Sequence, residues 1–130
     1  MGKVRIVTDS SAQFVNPELV KRYNIEVVPQ TVRLGAQSFQ EGVDLDAEAF
    51  FRLGGQLGTP FELVAPDVEM FAALYAPLNR QTDQILSLHM SRTLGPTWDN
   101  ARRAARTLLG RCDITVLDSM TDSAGLGLLV

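Results

Sequence analysis

Hydrophobic and polar positions along the chain alternate between short extended segments and amphipathic helical segments. Residues 3–8 alternate and are β-branched, and residues 84–90 and 114–117 are short, largely apolar segments. These patterns predict strands, and the run 84–90 is typical of a central buried strand. Helical segments separate the strands, which favours right-handed crossovers and a parallel sheet covered by helices on both faces. The predicted fold is therefore an α/β domain with three layers.

Two helices in the first half of the chain have clear start signals. Asp46 is a capping residue for a helix over residues 47–53, with Phe50 and Phe51 on its buried side, and Gly54-Gly55 and Gly58-Thr59-Pro60 break the chain after it. Another helix begins at Pro66-Asp67 and is predicted to end at Pro77. Its buried face follows three- and four-residue steps: Val68, Phe71, Leu74 and Tyr75. Further helices are predicted over 17–24, over 97–109, and from Asp122 or Ser123 onward.

The segment from residue 25 to residue 42 is extended but interrupted. Pro29 cannot donate to a sheet ladder, so we expect an edge position or a break there. Residues 35–42 contain a turn and a short return strand over residues 37–40, which predicts a hairpin. Residues 61–65 form a further short extended piece.

Length and composition restrict the possible classes of protein. A chain of 130 residues, 45% hydrophobic and 21% charged, is one ordinary globular domain. The net charge of −3 argues against a nucleic-acid-binding surface, which needs clustered Lys and Arg. The sequence contains no run of ~18 apolar residues that could span a membrane. The single cysteine, Cys112, suits a reducing compartment, and we find no signal peptide, so we expect the protein to be cytoplasmic.

Three predicted strands end in similar polar sequences. These ends read Thr8-Asp9-Ser10-Ser11, His89-Met90-Ser91 and Leu117-Asp118-Ser119. Ligands of open α/β sheets bind at the carboxyl ends of the strands, where hydroxyl groups can donate to a carboxylate or a phosphate. The alternative is that these Ser and Asp residues only cap helices and close turns.

The stretch from Ile85 to Trp98 combines a buried strand, a loop and the head of a helix. Unpaired amides at the start of that helix favour an anion at the loop. Arg92 could pair with such an anion or could face solvent. We see no nucleophile with its own base and no metal-ligand cluster beside the loop, so the sequence predicts a site that holds a molecule, without a metal or a cofactor.

Two other functions stay open from the residues. His89 is the only histidine, and with Asp9 and Ser91 it could form a hydrolytic triad acting on a small ester or phosphate. No nucleophile-elbow pattern surrounds Ser91, however, which favours a packed or surface histidine. The remaining possibility is a divergent domain that has lost its ligand and serves only in assembly.

Several segments together resemble the DegV family. They are Val-Arg-Ile-Val-Thr-Asp-Ser-Ser at 4–11, Glu-Gly-Val-Asp at 41–44, Leu-Ser-Leu-His-Met-Ser at 86–91, Val-Leu-Asp-Ser at 116–119 and Gly-Leu-Gly-Leu-Leu-Val at 125–130. The resemblance implies a two-domain bacterial protein that holds one fatty acid between its domains and is not an enzyme. Some members are the fatty-acid-binding subunits of fatty acid kinase and present the acyl carboxylate to a separate kinase subunit. The resemblance also implies that the chain, residues 1–130, corresponds to the first domain without the C-terminal domain.

The resemblance also implies the head-group residues, and two of them differ here. The family has a threonine before its third helix where this chain has Leu63, and a serine in the strand-end loop where it has Gly95. Ser91, Leu94 and Thr97 match the family loop. Because each lost hydrogen bond to a charged group is worth about 1.5–3 kcal/mol, the head-group preference is expected to differ. The predicted ligand-binding residues are Ser10, Leu63, Ser91, Arg92, Thr93, Leu94, Gly95 and Thr97.

The last residues suggest a chain cut from a longer one. Leu128-Leu129-Val130 form the first apolar face of a helix that does not continue. Without a partner domain, the ligand rim would face water, and exposed apolar patches favour association. We therefore expect the chain to self-associate through that rim.

Overall fold

Strands and helices alternate along the chain in the computed structural model, which describes residues 3–58 and 60–130. The strands are β1 Arg5–Asp9, β2 Glu26–Val28, β3 Thr31–Leu34, β4 Gln37–Gln40, β5 Phe61–Val64, β6 Gln84–His89 and β7 Asp113–Asp118. The helices are α1 Glu18–Arg22, α2 Ala47–Leu57, α3 Val68–Asn79, α4 Thr97–Ala105 and α5 Ser123–Leu129, and a 3₁₀ turn, Arg106–Leu108, follows α4. Among the described residues, no helix has both the length and the apolarity needed to cross a membrane.

Four strands form a parallel sheet in the order β2-β1-β6-β7. Helices α3 and α4 cover one face, where Phe71, Tyr75 and Ala101 pack against Val7 and Ile85. Side chains alternate along a strand, so Leu88 points to the opposite face and packs there with Leu126 of α5. The parallel sheet with helices on both faces confirms the predicted three-layer α/β fold.

A second, antiparallel sheet has the order β4-β3-β5. The predicted hairpin is confirmed, since β3 and β4 pair from Thr31↔Gln40 to Leu34↔Gln37. The predicted break at Pro29 is also confirmed, because this residue lies between β2 and β3 in different sheets. The pairing of β5 with β3 was not predicted. It joins residues about thirty positions apart, and local periodicity carries no information on such pairs.

The helix after Asp46 is longer than predicted. Asp46 caps it as expected, accepting from the Ala49 amide at 2.7 Å, but the helix continues through Gly54-Gly55 to Leu57. The buried side of the helix packs on Val32 and Leu34, and this packing outweighs the low helix propensity of the two glycines. It ends where Gly58 adopts φ +55, and Thr59 of the predicted break lies outside the described residues. Phe51 was wrongly predicted as buried, since its side chain is 75% exposed.

Two further sequence expectations were wrong in detail. α3 does not end at Pro77 but at Asn79. Pro77 lies on the exposed side of the last turn, where water can bond the carbonyl that a proline leaves unpaired. β7 was predicted to be buried, but its residues alternate between exposed and half-buried because it is the edge strand of the parallel sheet.

Candidate ligand-binding site

Three strand ends meet at one edge of the parallel sheet, as the sequence predicts. β1 and β6 pair from Arg5↔Ile85 to Val7↔Ser87, and β6 and β7 pair up to His89↔Asp118. Backbone bonds continue the contact past the strands, since the Ser119 amide donates to the His89 carbonyl at 3.0 Å. The carboxyl ends of β1, β6 and β7 are therefore neighbours.

Asp9, at the end of β1, connects the first two of these ends. Its Oδ1 accepts from the amide and the hydroxyl of Ser11, and its Oδ2 accepts from His89 Nδ1 at 2.9 Å and from the Met90 amide at 3.2 Å. The carboxylate is fully buried. Burial raises the pKa of Asp9, but the bonds from His89, Ser11 and Met90 together outweigh burial, so the pKa lies below its ordinary value.

A line of buried polar groups continues from His89 into the core. His89 Nε2 lies 2.6 Å from Ser87 Oγ, and Ser87 Oγ lies 2.7 Å from Tyr75 Oη. All three side chains are buried, and the His89 ring packs edge-on against Phe71 at 5.0 Å between centroids. Burial raises the pKa of Tyr75 to about 12, against the opposing effect of its bond to Ser87.

The requirement that every buried N–H and O–H has an acceptor decides which group donates in each of these hydrogen bonds. Because a carboxylate only accepts, the proton on His89 Nδ1 points to Asp9. If Tyr75 donates to Ser87 and Ser87 donates to Nε2, every N–H and O–H in the line has an acceptor. The reverse direction leaves the Tyr75 hydroxyl without an acceptor among the described residues. We call Asp9, His89, Ser87 and Tyr75 the buried polar network.

The hydrolytic alternative based on Asp9, His89 and Ser91 is not supported by this geometry. The hydroxyl that faces His89 Nε2 belongs to Ser87, whereas Ser91 Oγ is paired with Thr93 Oγ1 at 2.8 Å. Residues 89 and 91 are separated by the end of β6, so the chain no longer keeps both side chains on one face. The network is also closed to solvent, which leaves no room beside His89 for a substrate.

Five of the six predicted site residues after β6 lie in one loop, and the sixth, Thr97, is the first residue of α4. Ser91 and Thr93 bond one another, and the Leu94 amide donates to the Ser91 carbonyl at 2.9 Å. Arg92 is exposed, with Nε 3.6 Å from Asp118 Oδ2 and its guanidinium 5.6 Å from the Trp98 ring. The other predicted residues differ in exposure: Leu94 is exposed, Gly95 half-buried, and Thr97 fully buried with Oγ1 3.7 Å from Met90 Sδ.

A large cavity lies elsewhere along the same edge, between the two sheets. It measures about 740 Å³ and opens to solvent. Its walls are mainly apolar and come from the loop after β1, from α1, and from the antiparallel sheet with α2: Phe14, Val20, Val27, Val32, Val43, Leu45, Phe50, Phe51, Phe61 and Leu63. Ser10 also lines it, but residues 91–97 do not. Of the eight predicted residues, the structure therefore places two in the cavity and six in the separate segment 91–97.

Comparison with known proteins relates almost the whole chain to one family. The family described as "Uncharacterised protein, DegV family" matches residues 3–130. The chain belongs to the DegV family. A DegV domain-containing protein from Streptococcus pneumoniae is 37% identical over 126 residues, which cover 95% of this chain and 44% of that protein. The chain thus spans less than half the length of this DegV relative.

Solved DegV structures share the fold. A fatty-acid-binding DegV family protein from Thermus thermophilus matches with a TM-score of 0.86 and 29% identity, over 99% of this chain and 45% of that one. DegV from Bacillus subtilis, a fatty acid binding protein, matches with a TM-score of 0.90 and 23% identity, over 98% of this chain and 45% of that one. The Fatty Acid Kinase (Fak) B3 protein of Streptococcus pneumoniae, loaded with linoleic acid, matches with a TM-score of 0.80 and 19% identity, over 98% of this chain and 45% of that one. The DegV fold predicted from the motifs is confirmed.

Sequence reasoning missed most of the cavity in this DegV chain. Phe61 and Val43 line it but were not predicted site residues. The sequence signal was an apolar side chain outside the long buried segments: Phe61 lies on a short strand and Val43 in a turn, and both are more than half exposed in the structure. Within the described ranges, no group of three or more His, Cys, Asp or Glu side chains is arranged to hold a metal ion.

Proposed function

We propose that this chain binds a long-chain fatty acid or a related lipid and does not transform it. The open apolar cavity of about 740 Å³ carries the proposal. Its size falls within the range of small-molecule sites, about 300–1,000 Å³. Burying each methylene of an aliphatic tail there contributes about 0.8 kcal/mol. The similarity to the fatty-acid-binding protein from Thermus thermophilus supports the same ligand class.

The head group is proposed to lie at the loop from Ser91 to Thr97. α4 begins there without a side-chain cap, in contrast with α2 and α3, which Asp46 and Asp67 cap. Its first amides therefore remain available to a carboxylate. Gly95 offers only its backbone, so Ser91, Thr93 and Arg92 are the side chains that could compensate for the missing serine.

Absence of catalysis is part of the proposal. The single histidine is buried and both of its ring nitrogens are already hydrogen-bonded, to Asp9 and to Ser87. Ser91 is bonded to Thr93 and has no base beside it among the described residues. A group that must take a proton from a substrate has to reach it, and this histidine does not.

Presentation of the lipid to a separate kinase subunit is proposed from the likeness to the Fak B3 protein. Because the DegV relatives are about twice as long, we propose that the chain acts as one domain of a two-domain binder, and that it self-associates through its exposed apolar rim when alone. A cytoplasmic location is proposed because Cys112 is a free thiol.

Mass spectrometry of the purified, denatured protein tests the binding function. A copurified aliphatic acid is expected.

Leu63→Asp, which places a charge in the cavity wall, should reduce fatty-acid affinity at least tenfold, or about 1.4 kcal/mol. Leu129→Asp is the matched control, because Leu129 is 59% exposed against 53% for Leu63 but lies outside the cavity.

Three results would contradict the proposal. Absence of any copurified lipid together with no binding in a fatty-acid titration would leave a domain without a ligand. If Leu63→Asp and Leu129→Asp lost the same fatty-acid affinity, the cavity would not be the binding site. Ester or phosphate turnover by the intact chain that His89→Ala abolishes would establish the enzymatic alternative instead.

A further inference from the structure

We infer that Glu41 determines which end of the lipid enters the cavity between the two sheets: the uncharged end enters, and a negatively charged end is rejected. This inference rests on the proposed function and adds a direction and a selectivity to it. It makes Glu41 a specificity-determining residue that the sequence did not indicate. It also separates the tail site from the head-group site, which lies on the loop after β6.

The charges that line the cavity all have one sign. Glu41 and Asp46 are its acidic residues, and none of its described lining residues is a lysine or an arginine. A carboxylate entering this space would meet two like charges and no cation. In a partly desolvated site, such a like-charge contact weakens binding.

The N-terminus of α2 opens on the cavity and could in principle attract an anion, but this position is occupied. Asp46 and Ala47 line the cavity at the start of the helix. The Asp46 carboxylate itself accepts from the Ala49 amide at 2.7 Å. The helix dipole is therefore already satisfied by a carboxylate of the protein.

Ser10 is one of the hydroxyl residues that the sequence predicts to bind the ligand, and its hydroxyl proton is already donated within the protein. Its O–H donates to Glu41 Oε2 at 2.6 Å, and its Oγ accepts from the Gln30 amide at 2.9 Å. A hydroxyl has one proton to donate. A ligand carboxylate would have to displace Glu41 from Ser10 to gain that bond, and Glu41 would then be left beside the incoming charge.

Glu41 still leaves the cavity able to receive one kind of polar group. Its other oxygen, Oε1, has no hydrogen-bond partner among the described residues. A carboxylate oxygen accepts from a hydroxyl, so an alcohol at the buried end of the lipid fits, whereas a second carboxylate does not. The cavity therefore suits an aliphatic chain that ends in a methyl or a hydroxyl group.

Three probes of equal length distinguish these ends: palmitic acid, its ω-hydroxy derivative, and the dicarboxylic acid with a second carboxyl at the ω position. Binding is measured by calorimetric titration at neutral pH for the wild type, for Glu41→Gln and for the control Glu48→Gln. Glu48 is an exposed acid in the first turn of α2 that does not line the cavity. Thermal unfolding of all three proteins verifies that they are folded.

We expect the wild type to bind palmitic acid and the ω-hydroxy acid within about threefold, and the dicarboxylic acid at least tenfold more weakly. Glu41→Gln should remove most of that discrimination, and Glu48→Gln should keep it. If the wild type binds the monocarboxylic and dicarboxylic acids equally, or if both glutamine variants behave alike, the role of Glu41 is overturned while the binding function stands. Failure of every probe to bind the wild type would overturn both.

Discussion

Two neighbouring residues at the end of β1 lead into regions of opposite character. Asp9 points to the face covered by α3 and α4 and belongs to the buried polar network, in which every member is closed to solvent. Ser10 points the other way and lines the open apolar cavity. Side chains alternate across a strand, so one residue along the chain separates the two regions.

This difference shows that adjacent polar residues can have different roles, one in stabilising the fold and one beside a ligand cavity. In the buried polar network, each polar group is hydrogen-bonded, so its removal leaves partners unsatisfied in a dry environment. In the cavity, apolar side chains remain exposed and available for a ligand. Substitutions in the network are therefore expected to change stability, and substitutions in the cavity and its loop to change affinity.

The largest effect is expected for Asp9→Ala. The substitution leaves the His89 Nδ1–H and the Met90 amide without acceptors and disconnects the ends of β1 and β6. We expect a loss of about 3–5 kcal/mol in the free energy of unfolding, measured by urea denaturation. Asp83→Asn, at an exposed acid, should stay within about 0.5 kcal/mol of the wild type.

The pH dependence of unfolding gives a second measure of the same substitution. Because the pKa of Asp9 is lower in the folded protein than its ordinary value of 3.8, its stabilising contribution is present above that value. It is lost as the pH falls through the lower folded-state pKa. Asp9→Ala should flatten this acid limb, and an unchanged acid limb would show that the carboxylate does not hold the two strand ends together.

A smaller effect is expected at alkaline pH from Tyr75. Its pKa is raised to about 12, so its stabilising contribution is complete below pH 10 and is lost as the pH rises through 12. The two-unit difference corresponds to about 2–3 kcal/mol. Tyr75→Phe should remove this alkaline decrease, at a cost of about 1 kcal/mol at neutral pH.

Tyr23 provides the matched comparison for this test, because it is the other tyrosine of the chain and its side chain is 57% exposed. Tyr23→Phe should keep the wild-type alkaline profile. A profile that changes in Tyr23→Phe but not in Tyr75→Phe would contradict the burial argument.

The smallest effect is expected at the loop after β6, where Gly95→Ser should tighten fatty-acid binding about tenfold. A serine hydroxyl there would add one hydrogen bond to a charged head group, worth about 1.5 kcal/mol. A Cβ at Gly95 meets no atom within 4 Å, so the fold should accept the change. Unchanged affinity in Gly95→Ser would place the head group elsewhere.

Much of the fold could be predicted because its signals are local. Asp46 was predicted as a cap and Pro66-Asp67 as a helix start, and both aspartates accept from the amide three residues later. The hairpin of β3 and β4 and the shared edge of β1, β6 and β7 followed from turn residues and strand periodicity. Errors arose where tertiary packing overrides local preference, as in α2, which continues through two glycines.

The site could be predicted only in part. The sequence indicated that Asp9, Ser10, His89 and Ser91 gather at one edge, because parallel strands deliver their ends there. It could not indicate that His89 bonds Ser87 and not Ser91, or that Ser10 donates to Glu41, thirty-one positions away. Such pairings depend on rotamers and on contacts between distant segments.

The sequence by itself determined the family, the order of strands and helices, and the polar residues at the strand ends, since periodicity, caps and motifs are properties of neighbouring positions. Only the tertiary structure decided that the second sheet and α2 stand against α1 to enclose a cavity, and that its charged wall is acidic. A cavity is the space between segments far apart in the chain, and no local pattern specifies where that space opens.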